Sequence, residues 1–296
     1  MNPLQGLSAF PITPTDEHGS VDTQALGGLI SRIRTAQADS ICVLGSTGTY
    51  PFLTRAERRR TIEFTVSQAG TMPIFAAIGA LRTDEVIALG RDAQEAGVAA
   101  ALLAPVSYTP LTNREVFTLF ETVTAALEIP ICIYNNPGTT HFTFSSQLIG
   151  RLSKLPRIMG AKNPAPAPES VSDNLSDLRG KVAPGFSLGY SMDWYATEAL
   201  IAGADAWYSV IAGLFPETCV RIARAAKAGD LKLARSLNGQ LEPLWTLFKE
   251  LSSLRVMYAA ASSLGLVNAE PPLPILPLAD ADRQRVDAVL DQLQLR

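Results

Sequence analysis

The 296-residue sequence predicts an α/β fold: a (β/α)8 TIM barrel followed by a C-terminal helical extension. Three observations predict it. Short apolar runs alternate with amphipathic segments, the pattern of repeated βα units rather than of separate α and β domains. Eight such runs occur, each followed by a helical pattern, which is the number a closed barrel needs. The first run leads into FPITPT rather than into a glycine-rich phosphate turn, so a doubly wound open sheet lacks its usual sign.

In order, the strand candidates are GLSAFPI at 6–12, SICVLG at 40–45, PIFAAIG at 73–79, AALLAP at 100–105, IPICIYN at 129–135, RIMGAK at 157–162, KVAPG at 181–185 and AWYSVI at 206–211. Helical patterns start near Thr23, Thr54, Thr83, Asn113, Ser145, Pro168, Asp193 and Phe215, several with Ser, Thr or Asp where an N-cap belongs. Thr54 and Glu57 have capping-box spacing, so the basic run LTRAERRR reads as a solvated helix start rather than a polyanion site. These units occupy residues 1–226. From 227 to 296 come AGDLKLARSLNGQLEPLWTLFKELSS, LRVMYAAASSLGL, a proline-rich passage and DADRQRVDAVLDQLQL. Their apolar positions repeat at helical spacing and no Gly/Ser linker precedes them, so the extension should pack on the barrel.

Net charge is -3, with Arg and Lys dispersed, which argues against a nucleic-acid surface. The N-terminal MNPLQGLSAFPITPT has neither a basic region nor a continuous apolar stretch, and no window approaches the roughly 18 apolar residues of a membrane span. A cytoplasmic protein with no membrane anchor is expected. Cys42, Cys132 and Cys219 lack metal-ligand spacing and read as buried, reduced thiols. The two histidines, His18 and His141, sit in polar, turn-like contexts and offer no metal site.

In a barrel the chemistry gathers at the carboxyl ends of strands, and three segments follow strands directly. Lys162 ends the run RIMGAK. An ammonium group is costly to bury, so this lysine is either a Schiff-base nucleophile at the barrel mouth or a side chain whose stem packs while its head reaches water. A lysine with the ordinary pKa is neutral in only about 1 part in 2,500 at pH 7, so imine chemistry calls for an apolar setting. Gly45-Ser46-Thr47-Gly48-Thr49 offers backbone N–H groups and hydroxyls suited to a small carboxylate, or is a plain turn; it has neither a P-loop ending nor a dinucleotide fingerprint. Tyr134 opens YNNPGTT, as a proton carrier or as a structural tyrosine.

Together AFPITPTDEHGSVD, GSTGTYPFLTRAER, YNNPGTT, GAK and AGADAWYSVIAGLFP resemble the dihydrodipicolinate synthase and N-acetylneuraminate lyase family of class I aldolases across nearly the whole barrel. The resemblance implies that Lys162 forms an imine with pyruvate or a related 2-oxo acid, that Tyr134 relays protons, and that Ser46 and Thr47 hold the carboxylate. Thr139, Tyr108 and Ser209 complete the implied substrate-binding set. It further implies an aldehyde partner, no metal or organic cofactor, and a homo-oligomer, tetramer or dimer.

Departures from the family pattern bear on the substrate. Thr139 stands where dihydrodipicolinate-forming members carry an arginine for the acceptor's carboxylate. Tyr108, in Pro105-Val106-Ser107-Tyr108, is displaced by one position from the tyrosine that enters a neighbouring subunit's site. Asp193-Trp194 replaces the Asp-Glu pair of sialic acid lyases. Thr49 and Glu270 replace a glutamate and an arginine outside the imine centre. The expected function is a Schiff-base lyase or aldolase; a genuine dihydrodipicolinate-forming enzyme and a barrel that binds 2-oxo acids without turnover are the other readings.

Overall fold

In the computed structural model, which describes residues 2–295, eight parallel strands close in sequence order, the first pairing with both the second and the eighth. The chain runs β1 (Gly6–Ala9), α1 (Thr23–Thr35), β2 (Ser40–Val43), α2 (Arg55–Ala69), β3 (Ile74–Ala77), α3 (Thr83–Glu95), β4 (Ala100–Leu103), α4 (Asn113–Ala126) and β5 (Ile131–Tyr134). A single turn, α5 (Pro137–Thr140), precedes α6 (Ser146–Leu152), β6 (Ile158–Pro164), α7 (Val171–Arg179), β7 (Ser187–Ser191), α8 (Asp193–Ile201), β8 (Ala206–Ser209) and α9 (Pro216–Lys227). Four helices follow: α10 (Leu231–Gln240), α11 (Glu242–Leu251), α12 (Ser253–Ser263) and α13 (Asp280–Gln292).

The helices begin where capping chemistry puts them. Asp22 accepts from Ala25 N at 3.0 Å, Ser145 accepts from Leu148 N at 3.2 Å, and Thr112 forms a reciprocal capping box with Glu115. Thr54 caps α2, but the Glu57 carboxylate accepts from Val21 N at 2.7 Å instead of closing a box. The solvated reading of the following basic run needs correction at Arg58. Its guanidinium is buried, donating to Ala77 O at 2.9 Å and Gly79 O at 3.1 Å beneath the Tyr50 ring, and burial pushes its pKa down to about 10.

The seventh strand also needs correction. KVAPG lies in the turn before β7, where Gly185 has φ +77°; the strand is SLGYS, at 187–191. Its small residues are set by neighbours: a Cβ on Gly189 would stand 2.3 Å from the Tyr208 ring, so only glycine admits that ring beside β7. β6 is longer than its apolar run, because Asn163 and Pro164 pair with Tyr190 and Ser191.

The last four helices share the barrel's apolar core through Leu237, Trp245, Phe248, Val256 and Leu290. Each large side chain withdrawn from water contributes roughly 1.5–3 kcal/mol. Tyr258 of α12 donates to Thr13 O at 3.0 Å, fastening this layer to the loop after β1. Among the described residues no helix is long and apolar enough to cross a membrane, and no cluster of His, Cys, Asp and Glu could hold a metal ion. The three cysteines are free and buried.

Candidate active site

The register of three strands sets the centre of the site. Lys162 on β6 lies opposite Tyr134 on β5 and Gly189 on β7, so amine and phenol leave the barrel side by side. Lys162 is 4% exposed, and its Nζ stands 4.4 Å from the centre of the Tyr134 ring and 5.0 Å from that of Phe10. Ring faces accept a cation and present no proton acceptor that would tie up the amine. Phe10 reaches this position because Gly45 yields to it: a Cβ there would meet the ring at 2.7 Å.

Three side chains form a closed polar knot beside the amine. Ser46 Oγ and Tyr134 OH are 2.8 Å apart, with either oxygen able to donate, while Asn136 Nδ2 donates to Tyr134 OH at 3.0 Å and to Ser46 Oγ at 3.3 Å. The phenol can therefore pass its proton to Ser46 or receive one, and the Asn136 N–H supports the oxygen when it is negative. Thr47 is buried next to Ser46 and lines the same cavity, of about 530 Å³, into which Lys162, Tyr134, Asn136 and Thr139 also face.

Asp193 is the carboxylate on the other side. Its oxygens accept from Trp207 Nε1 at 2.8 Å, Ile211 N at 3.0 Å and Val210 N at 3.1 Å. Burial pushes its pKa up, opposed by the Ile211 N–H, the Trp207 indole, the Ser209 hydroxyl and the Lys162 charge. With its lone pairs committed to the loop after β8, Asp193 acts on the amine through space.

A sequence model of the dihydrodipicolinate synthetase family matches residues 3–293. The chain belongs to this family. Members of this family are lyases of the class I aldolase type, and the present chain is one of them. A 4-hydroxy-tetrahydrodipicolinate synthase of an Azoarcus strain is 33% identical over 98% of each chain. The crystal structure of a dihydrodipicolinate synthase from Agrobacterium tumefaciens superposes with a TM-score of 0.96 at 51% identity, covering 98% of each chain. That of the Acinetobacter baumannii enzyme, described as complexed with pyruvate, gives 0.92 at 28% identity over 99% of this chain and all of its own.

Of the residues that the family pattern pointed to, Lys162, Tyr134, Ser46, Thr47 and Thr139 line one cavity. Two do not. Ser209 is fully buried outside the cavity lining, its hydroxyl accepting from Ala212 N at 3.1 Å and donating toward the Cys219 sulfur, so it supports the β8 loop. Tyr108 is 97% exposed and outside this cavity, although Val106, two residues earlier, lines it. Thr139 is exposed at the rim, and its hydroxyl already donates to Asn136 O at 3.3 Å. The sequence reading missed Asn136, although it lies within the quoted YNNPGTT. It also missed Phe10 and the apolar wall of Trp194, Phe248, Leu254 and Ile275, which are far apart in sequence.

Proposed function

We propose that this enzyme joins Lys162 to a 2-oxo acid of the pyruvate type as an imine and makes or breaks a carbon–carbon bond to an aldehyde. The observation that carries this reading is the buried Lys162 amine placed in register with a tyrosine whose hydroxyl is bonded to Ser46 and Asn136. Ser46 and Thr47 take the carboxylate with their hydroxyls and the turn's N–H groups, which sets the C2 carbonyl toward Nζ. Nζ adds to C2, Tyr134 supplies the proton that lets the oxygen leave as water, and the protonated imine draws electrons from C3. Loss of a C3 proton then gives the enamine. Tyr134 can return a proton through Ser46, a relay with no metal or organic cofactor. The pyruvate complex named for the Acinetobacter relative supports the choice of 2-oxo acid.

Borohydride reduction in the presence of pyruvate, followed by peptide mapping, tests the reading: a pyruvyl adduct on Lys162 is expected, and an adduct elsewhere, or none with any 2-oxo acid, defeats it. A second reading, 4-hydroxy-tetrahydrodipicolinate synthase proper, is favoured by the names of the relatives and opposed by Thr139 at the position of the carboxylate-binding arginine. The same proposal includes a homo-oligomer, dimer or tetramer: Leu81 and Tyr108, 66% and 97% exposed, are surfaces a second copy would cover, and Tyr108 would serve in a neighbour's site. Sedimentation velocity checks this. A cytoplasmic setting suits three free thiols.

A further inference from the structure

Beyond Lys162 the cavity has an uncharged and largely apolar wall, braced by ring contacts. Trp194 packs edge-on to Tyr195 with ring centres 6.2 Å apart, and Phe248 packs against the buried Trp245 at 5.7 Å. Leu254 and Ile275 add to this side, with Phe52 at the rim and neutral hydroxyls from Ser191, Ser252 and Ser253 beside them. Among the described residues lining the cavity, Lys162 and Asp193 alone carry formal charge. Lys162 is consumed in the imine and Asp193 is an acid. Lys249, whose Nζ stands 5.9 Å from the rings of both Trp194 and Tyr195, stands outside the lining and pairs with Glu242 at 3.5 Å. A second carboxylate brought into this space would thus be stripped of water without a cation to receive it.

The volume points the same way. A pyruvyl imine occupies the volume of only a few water molecules, each about 30 Å³ in the liquid, and leaves most of the 530 Å³ to the second reactant. We infer that the acceptor is an aldehyde with an uncharged, apolar distal group, best a flat ring, seated against Trp194 and Phe248. This inference rests on the imine at Lys162. In the condensation the enamine C3 attacks the aldehyde carbon, forming the C–C bond; the aldehyde oxygen takes a proton and becomes a hydroxyl. Water then hydrolyses the imine, releasing a 4-hydroxy-2-oxo acid and restoring the amine.

The test compares kcat/KM for benzaldehyde, 4-carboxybenzaldehyde and aspartate semialdehyde, each with pyruvate, alongside borohydride trapping with pyruvate alone. Benzaldehyde should exceed both acids by at least about 30-fold, the scale of one missing charge-assisted pair. Trp194→Ala should raise the KM for benzaldehyde at least about 10-fold, and its trapped imine reports whether the site has kept its shape. The inference is overturned if either acid matches benzaldehyde, if benzaldehyde is not used while the imine traps normally, or if its KM is unmoved in Trp194→Ala with the imine intact. Failure of trapping in the wild type instead brings down the imine reading and this inference with it.

Discussion

The floor of the cavity is made by strands and the turns that follow them, where pairing fixes Lys162 against Tyr134 and hydrogen bonds lock Ser46 and Asn136, whereas its outer wall is made by α8 and the segments after the barrel, through side-chain packing that includes the Trp194–Tyr195 and Trp245–Phe248 ring pairs. Positive φ occurs in both parts. On the floor side Leu44 and His141, next to the ends of β2 and α5, hold positive φ, as does Thr49 in the turn carrying Ser46. The wall has two such points, Met192 at the N-terminus of α8 and Ser252, at φ +76°, the single residue between α11 and α12. Left-handed conformations of this kind carry strain and persist where surrounding structure enforces them. What separates the two is that register and hydrogen bonds hold the floor, as proton transfer demands, while side-chain packing holds the wall.

The largest break in this comparison comes from the floor. Lys162→Arg should keep a cation and the fold yet abolish borohydride trapping and all turnover, because a guanidinium stays protonated; residual trapping by mass spectrometry would move the nucleophile elsewhere. Tyr134→Phe should leave the fold intact and lower kcat at least about 100-fold, the scale of a lost acid–base group. A change in KM alone would make Tyr134 a binding residue. Asp193→Asn should destabilise by about 1–3 kcal/mol, read as a fall in Tm, because an amide cannot accept from the indole and both N–H groups without turning a donor toward one of them.

Thr139→Arg probes the rim between the two. It should raise kcat/KM for aspartate semialdehyde about 10-fold, corresponding to the 1–2 kcal/mol between a neutral hydrogen bond and a charge-assisted one. If the wild type already prefers that aldehyde widely, a cation from elsewhere replaces the missing arginine. The smallest effect lies outside the cavity. Arg55 first, with Arg59 adding, holds the Asp92 carboxyl below the usual carboxylate range. A lowered folded-state pKa means stability present above the ordinary value near 4 and lost as pH falls through the folded one. Asp92→Asn should therefore lower Tm at pH 7, converge with wild type in acid, and leave trapping untouched.

The floor was legible in the sequence because strand continuity and short motifs write it locally: GSTGT, YNNPGTT and GAK each place neighbours that the parallel register then aligns. The error at the seventh strand has a local cause too. SLGYS has the composition of a turn because Gly189 makes room for Tyr208, and Ser187 donates inward to Leu4 O. KVAPG looked more apolar but ends in a turn. The wall was not legible, since Trp194, Phe248 and Ile275 meet only through packing between separated helices and loops. The direction of the Ser209 side chain was equally illegible: a hydroxyl at a strand end can face the loop behind it as readily as the cavity in front.

The lone cation in the cavity also shapes how a substrate arrives. The protein carries a net charge of -3, and a 2-oxo acid is an anion, so the surface exerts no long-range pull on it. Beyond a Debye length of about 8 Å at physiological ionic strength the field of Lys162 is screened, and among the described lining residues the other charge, on Asp193, opposes it. Capture of the 2-oxo acid is then an unsteered diffusional encounter. Its association rate constant should barely respond to added salt, in contrast to sites that gather anions with a ring of arginines.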